Sequence, residues 1–281
     1  MSVTACPSEA AQDALRRIRV RGGVRMELAN GPRGTFAARM HEADGYRVRF
    51  PEASGCCEAV LVNTGGGVAG GDEARFEIAA GAGATATISS VAAERVYRAH
   101  AEPARLSVSL ALAAASRIDW LPQETILYAG ARLVRRVDVA LAADAAVTLL
   151  DILVLGRRGS GERMVDGALD DRWTIRRGDR LVHMEAVRLE GAIDAAMQRS
   201  AVGSGAHVIG TLVHVAPDTE DKLDGVRAAL GACGDADVAA SAWQGKLVIR
   251  ALGSRSDRVR QALAAAASCL SGRRMPQVWA C

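Results

Sequence analysis

Alternation of apolar and polar positions dominates the chain from about residue 24 to about residue 189. Residues 105–112 read RLSVSLAL and residues 136–141 read RVDVAL, so every second side chain is apolar. This period of two is typical of β-strands, in which successive side chains point to opposite faces of a sheet. Residues 147–155 are almost continuously apolar, which predicts a strand that is covered on both faces. The frequent turn residues between these segments favour a mainly β body.

A hairpin and two helices are predicted in the second half of the chain. Residues 173–189 contain two strand-like segments that flank the turn sequence RRGD at residues 176–179, which is typical of a β-hairpin. Apolar residues at helical spacing predict helices at residues 219–230 and 256–270. Residues 246–251 are predicted to form a strand between them.

The predicted elements form a single unit. A short helical turn is predicted at residues 92–97, and neither an internal repeat nor a low-complexity linker interrupts the chain. The sequence therefore predicts a polar tail at residues 1–20 and one domain at residues 21–281, mainly β with C-terminal helices.

The densest glycine segment is NTGGGVAGGD at residues 63–72, which follows a strand-like run. Gly65, Gly67 and Gly70 match a dinucleotide-binding fingerprint, which would indicate a nucleotide-dependent oxidoreductase. That motif requires a helix after its last glycine, because the helix N-terminus holds the pyrophosphate. Residues 74–80 alternate instead and predict a strand. We interpret the glycines as a strand-to-strand connection and keep the oxidoreductase as the alternative function.

Composition excludes several classes of function. The 35 Lys and Arg residues nearly balance the 32 Asp and Glu residues, which gives a net charge of +3 and argues against a nucleic-acid partner. The sequence has no apolar run of about 18 residues, so no membrane partner is expected. The N-terminal residues include Glu9 and Asp13 and lack the apolar core of a signal peptide, which predicts a cytoplasmic location.

The cysteines and histidines do not form a recognisable metal or catalytic motif. The vicinal pair Cys56 and Cys57 would point to opposite faces of a strand, and so would His207 and His214, which are seven residues apart. Ser160 lacks the G-x-S-x-G context of a nucleophile. We therefore expect no closed zinc site, no catalytic nucleophile and no tightly bound cofactor. Reduced thiols are expected at the scattered cysteines: Cys6, Cys56, Cys57, Cys233, Cys269 and Cys281.

Two carboxylates lie inside apolar strands. Asp151 is in the middle of TLLDILV, and Glu185 shares a strand face with His183 and apolar neighbours. A buried carboxylate must be paired, protonated or directed into a polar cavity. One interpretation is a structural ion pair with an arginine. The other is a carboxylate-lined internal cavity or channel, whose carboxylate and imidazole ligands would suit transient binding of a divalent ion.

Five segments, in order along nearly the whole chain, resemble the urease accessory protein UreD family, also called UreH. Mild departures from the family pattern are Thr64, Ser89-Ser90, Arg95 and Gln277. The five segments are VNTGGGVAGGD at residues 62–72, AAERVYR at 92–98, WLPQETIL at 120–127, LGR at 155–157 followed by Gly161-Glu162, and MPQVW at 275–279.

This resemblance implies a fold and a function. The expected fold is a β-helix-like body of stacked strands with a few helices. The expected role is non-enzymatic: to bind apo-urease, to link it to the accessory proteins UreF and UreG, and to help deliver nickel through an internal passage. Asp72, Asp151, Glu162 and Glu185 are the candidates for lining that passage and binding nickel transiently. Asp72 and Glu162 rest mainly on the resemblance.

Overall fold

The computed structural model describes residues 19–51, 57–231 and 236–280, and within them the chain forms two β-sheets. The first sheet has seven strands, in the spatial order β14 (Arg180–Glu190), β13 (Ala168–Arg177), β11 (Arg132–Leu141), β8 (Ala104–Leu112), β5 (Glu73–Ala80), β1 (Arg21–Gly31) and β2 (Gly34–Ala43). The second follows the order β16 (Asp237–Trp243), β17 (Lys246–Gly253), β15 (Val208–Val215), β12 (Ala146–Leu155), β9 (Arg117–Leu121), β6 (Thr85–Ser90), β4 (Cys57–Asn63) and β3 (Tyr46–Arg49). The short strand β10 (Thr125–Leu127) pairs with β12, and β7 (Glu94–Val96) pairs with β10.

The middle of the chain winds as a coil that alternates between the sheets. From β4 to β13 the longer strands fall alternately in the second and the first sheet, and each pairs in parallel with the strand one turn earlier. A parallel neighbour needs a crossover connection, and in this coil the crossover is the strand in the opposite sheet. This arrangement confirms the mainly β, β-helix-like body of stacked strands.

Antiparallel strands and helices close the coil. β1–β2 and β3–β4 pair at one end, and the predicted hairpin β13–β14 pairs at the other, where β15, β17 and β16 extend the second sheet. The helices are α1 (Ile193–Met197), α2 (Leu223–Gly231) and α3 (Ser256–Ser271), with 3₁₀ turns at Arg158–Ser160, Glu220–Lys222 and Gln277–Trp279. None of the helices in the described ranges has the length and apolar composition that a membrane span requires.

β12 separates two hydrophobic cores. Leu149 and Leu153 lie in the core between the sheets, whereas Leu150 and Ile152 lie in a second core with Val259 and other residues of α3. Both faces of β12 are therefore covered, as its continuous apolar sequence predicts. Asp151 has the same parity as Leu149, so its carboxylate is on the inter-sheet side.

Strand and helix positions confirm most of the sequence predictions, and one is wrong. Residues 74–80 lie in β5, so the glycine segment connects strand to strand and the helix that a dinucleotide fingerprint requires is not there. The helical turn predicted at residues 92–97 is instead strand β7, which pairs in parallel with β10. Tertiary pairing overrides the local pattern there, because Val96 also forms a bridge to Val68 of the glycine segment.

The segment after α3 is fastened to the second sheet beside β9 and β10. The Trp279 indole N–H donates to the Leu121 carbonyl at 3.0 Å, and the Gln123 amide donates to the Val278 carbonyl at 2.6 Å. Arg260 of α3 lies 4.3 Å from the centre of the Trp279 ring and donates to the Trp279 carbonyl at 2.9 Å. These contacts hold the C-terminal segment against the connection between β9 and β10.

Candidate functional site

The glycine segment is held against β7 by its backbone and by Asn63. Val68 N–H donates to the Arg95 carbonyl at 2.8 Å, and Tyr97 N–H donates to the Val68 carbonyl at 2.9 Å. The Asn63 side chain accepts from Gly65 N–H at 2.9 Å. Gly67 has φ +146°, and a Cβ there would lie 2.6 Å from the Arg95 carbonyl oxygen. The glycines therefore provide both positive φ and close backbone approach.

Gly67→Ala should destabilise the fold much more than Gly66→Ala, its matched control. Gly66 also has positive φ, +73°, but no atom lies within 4 Å of its ideal Cβ. We expect a loss of about 1 kcal/mol for Gly66→Ala from the left-handed backbone alone. Gly67→Ala adds the clash with Arg95 and should cost roughly 3 kcal/mol or more. Urea unfolding followed by tryptophan fluorescence measures both, and equal losses would contradict the close-approach argument.

A cavity of about 200 Å³ lies between the sheets behind this segment. Exposed residues surround its mouth, among them Gly66, Val91 and Arg95. Its inner wall is buried and includes Trp173, Leu149 and Asp151. The glycine segment and the start of β7 thus form the entrance to a cavity that reaches from the surface to the middle of the molecule.

Glu94 is the carboxylate at the entrance. Its Oε1 accepts a hydrogen bond from Asn63 Nδ2 at 2.9 Å, and no ion-pair partner is found for it among the described residues. Burial raises the pKa of Glu94 to about 7, against the opposing effects of hydrogen bonds from Asn63 and the Arg95 backbone. Glu94 therefore changes charge near neutral pH at the rim of the cavity.

Tyr46 shares the Asn63 amide with this carboxylate, and Asp72 acts on Tyr46 through its charge. The Tyr46 hydroxyl accepts from Asn63 Nδ2 at 3.3 Å, and its ring lines the cavity. Burial, together with the charges of Glu94 and Asp72, raises the pKa of Tyr46, so its hydroxyl stays protonated. Asp72 itself closes the glycine segment, because it accepts from Ala69 N–H at 2.7 Å and from Val20 N–H at 3.0 Å.

Asp151 shares one arginine with a second buried carboxylate. Arg135 Nη2 lies 2.5 Å from Asp151 Oδ2 and 2.6 Å from Asp171 Oδ2, and all three side chains are buried. The Trp173 indole N–H also donates to Asp171, at 3.1 Å. Burial raises the pKa of Asp151, although the charge of Arg135 opposes this. The structural ion-pair interpretation therefore holds for Asp151, and this ion pair also lines the cavity.

Glu185 and Glu162 occupy other parts of the molecule. Glu185 lies 2.5 Å from Arg250 Nη2 and 3.5 Å from His183 Nε2, so it links β14 to β17. Burial alone would raise its pKa, but hydrogen bonds from His183 and Arg250 hold the pKa of Glu185 below its usual value. Glu162 accepts from Ala129 N–H at 2.7 Å and pairs with Arg157. The Ala129 hydrogen bond is the largest cause that lowers the pKa of Glu162.

The four sequence-predicted carboxylates thus do not converge. Within the part of the chain that the structure describes, no three His, Cys, Asp or Glu side chains are grouped as a metal site requires. Of the four, only Asp151 lines the cavity. Cys6, Cys56, Cys233 and Cys281 lie outside the described residues, and Cys269 is a free thiol.

Comparison with known proteins identifies the family. The family model described as "UreD urease accessory protein" matches residues 20–280. The chain belongs to the UreD family of urease accessory proteins. Relatives named urease accessory protein UreD occur in Bradyrhizobium sp. strain BTAi1 (42% identity over 97% of this chain and 98% of the relative), Methylorubrum populi (41%, 97% and 92%) and Rhodopseudomonas palustris strain BisB18 (41%, 93% and 94%).

Membership of the UreD family gives the chain a role in urease maturation. An accessory-protein family indicates a non-catalytic role. The oxidoreductase alternative also lacks the helix after the glycines, so the glycine segment is a structural connection of a UreD fold.

Sequence reasoning did not identify three residues of the cavity and its ion pair. Arg135 and Asp171 have the parity of the inward residues Val137 and Trp173, so strand alternation contains the signal for both. The sequence pattern predicts a helical turn around Glu94, whereas Glu94 lies in a strand beside the glycine segment.

Proposed function

We propose that this chain acts in the cytoplasm as a non-enzymatic scaffold that binds apo-urease, links it to UreF and UreG, and passes nickel towards the urease active site. Membership of the UreD family supports the role in urease maturation. The partners and the metal are the further content of the proposal. Nickel is the cargo of this scaffold, which holds the ion only transiently.

The observation that carries the nickel part is the carboxylate pair along the cavity. Glu94 lies at the entrance and Asp151 at the inner wall, so each end of the cavity has a carboxylate, and a cation that reached Asp151 would share it with Arg135. Carboxylate oxygens bind divalent ions, but a protein selects and retains a transition metal through the number and geometry of its ligands. Separated single carboxylates therefore suit a passage from which the ion must leave again.

Asp72, Glu162 and Glu185 have a different place in this proposal. None of the three lines the cavity, whereas Asp151 does line it although Arg135 holds its carboxylate. We propose that they maintain the walls around the passage, while Glu94 and Asp151 face the ion.

Deletion of the gene for this chain should leave urease synthesised but poor in nickel. Urease purified from the deletion strain is analysed for nickel per active site, and a plasmid copy of the gene should restore the wild-type content. Co-purification of the chain with the urease subunits, UreF and UreG tests the scaffold part separately. A deletion strain whose urease contains the normal amount of nickel would overturn the proposed role.

A further inference from the structure

A second pocket of about 210 Å³ lies where turns from the two sheets meet, away from the inter-sheet cavity lining. The turn of the β13–β14 hairpin contributes Arg177 and Arg180, and the turn between β16 and β17 contributes Lys246. The rest of the described lining is apolar or backbone, apart from Gln244, and none of it is Asp or Glu. Three cationic side chains therefore line one pocket to which the described residues contribute no acidic side chain.

Lys246 has no counter-ion among the described residues. The residue is only 6% exposed, and its ammonium lies 4.7 Å from the centre of the Trp243 ring. In residues 19–51, 57–231 and 236–280, its ammonium has no hydrogen-bond or ion-pair partner. The charge of Glu220 acts on Lys246 from a distance, and Glu220 Oε1 accepts from Gly245 N–H at 2.9 Å. A cation without a counter-ion, on the wall of a pocket to which the described residues contribute no acidic side chain, marks a site where an anion would be stabilising.

The two arginines place further donors around the same space. Arg177 Nη1 donates to the Ala142 and Ala143 carbonyls, both at 2.6 Å, which fixes the guanidinium and leaves its other N–H donors. Arg180 is exposed and makes no side-chain hydrogen bond or ion pair to another described residue. Burial and the charge of Arg180 both lower the pKa of Lys246, so the two cations are close enough to repel each other.

We infer that this pocket is a binding site for a phosphate-type oxyanion, held by Lys246, Arg180 and Arg177. A planar guanidinium offers paired donors to phosphate oxygens, and an ammonium adds a compact charge. An anion between Lys246 and Arg180 would offset their repulsion and provide a counter-ion for the Lys246 ammonium. The shared ligand chemistry is that of inorganic phosphate and of the terminal phosphate of a monoester, since the pocket opens to solvent beside exposed Arg180.

Titration of the full chain with inorganic phosphate tests this inference. Calorimetry at constant ionic strength, balanced with chloride, should give saturable binding, and the fluorescence of Trp243 should change in parallel because its ring contacts Lys246. Removing one charge-assisted partner should weaken the affinity about tenfold or more in Lys246→Met and in Arg180→Gln. The control Arg199→Gln removes an exposed charge outside the pocket and should bind as the wild type does.

A second titration with glycerol phosphate separates the two sources of the group. Comparable binding of both probes indicates a site for a terminal phosphate, whereas binding of inorganic phosphate alone indicates a site for the free ion; both outcomes support the oxyanion site. Absence of saturable binding of either probe, or wild-type affinity for phosphate in both Lys246→Met and Arg180→Gln, would overturn it.

Thermal unfolding provides an independent readout and a folding control. In phosphate-free buffer, Lys246→Met should melt at the wild-type temperature or above, because Met keeps the apolar stem and removes a charge that Arg180 repels. Phosphate should raise the melting temperature of the wild type and leave that of Lys246→Met unchanged. A variant that melts lower and is still stabilised by phosphate contradicts the inference. If Lys246→Met does not fold, the same melting experiment is made with the exposed substitution Arg180→Gln, and stabilisation by phosphate equal to that of the wild type would overturn the inference.

Discussion

Arg135→Met should remove about 3–5 kcal/mol from the free energy of unfolding, because it leaves Asp151 and Asp171 buried without their shared cation. A domain of this kind is stable by only about 5–15 kcal/mol, so a large part of the total is at stake. The loss should be largest near neutral pH. It should shrink as the pH falls, since burial raises the pKa of Asp151 and that carboxylate can then take up a proton. Urea unfolding at several pH values measures both effects.

Arg172→Met is the matched control for this prediction. Arg172 is in the same strand as Asp171 and pairs with Asp170 at 2.9 Å, but its side chain is 55% exposed. Exposed ion pairs contribute only about 0–1 kcal/mol, so this substitution should change the free energy of unfolding very little. A loss for Arg135→Met as small as that of the control would show that the buried cluster does not stabilise the fold.

Asp151→Asn should cost far less than Arg135→Met. Arg135 keeps both of its hydrogen bonds to Asp171, at 2.9 and 2.6 Å, when Asp151 loses its charge. One cation then faces one carboxylate, and we expect a change of about 1 kcal/mol or less. The same unfolding experiment checks this. Asp151→Asn is therefore the substitution with which a functional role of this carboxylate can be separated from collapse of the core.

Glu94→Gln should lower the nickel content of urease at least about tenfold when the variant replaces the wild-type chain in the cell. An amide oxygen is a much weaker ligand for a divalent ion than a carboxylate, while the shape of the side chain is kept. Co-purification with the urease subunits should be unchanged, because the substitution affects the cavity entrance only. Nickel is counted per urease active site.

Glu102→Gln, an exposed substitution away from the cavity lining, is the control for Glu94→Gln and should leave the nickel content normal. Normal nickel in Glu94→Gln as well would remove the passage from the proposed function. The chain would then be a binding module that assembles partners without handling the metal.

The same variant should change how stability depends on pH. The folded-state pKa of Glu94, about 7, lies above its ordinary value of 4.5. The full stability is therefore present below about pH 4.5, and a part is lost as the pH rises through 7. Glu94→Gln should not show this loss. At pH 8 its free energy of unfolding should exceed that of the wild type by on the order of 2–3 kcal/mol. Unfolding at pH 5 and pH 8 tests the sign.

Strand alternation allowed most of the fold to be predicted from the sequence. The continuous apolar run of β12 indicated coverage on both faces, and the two cores on Leu149 and Leu150 confirm it. Alternation also placed Asp151 inside the protein. It could not choose between an ion pair and a cavity, and the structure combines both at the same residue.

The features that the sequence pattern did not predict depend on pairing between segments that are distant in the chain. β7 has three residues, too few for a periodic pattern, and its strand character comes from β10 and from Val68. Glu94 acquires its raised pKa from that pairing, because the same contacts bury it beside Asn63. Likewise, nothing in the sequence around Lys246 indicates a pocket. The pocket forms only because two turns from different sheets come together around this residue.

The fastening of the C-terminal segment bears on how the protein is handled in the laboratory. Gln123, whose amide holds the Val278 carbonyl, also lines the inter-sheet cavity. A purification tag joined directly to the last residues would lie beside that wall and could displace the Gln123 and Trp279 hydrogen bonds. Assays of metal transfer are therefore best made with the tag at the other end, and an activity lost on C-terminal tagging would report on the cavity as much as on a blocked partner.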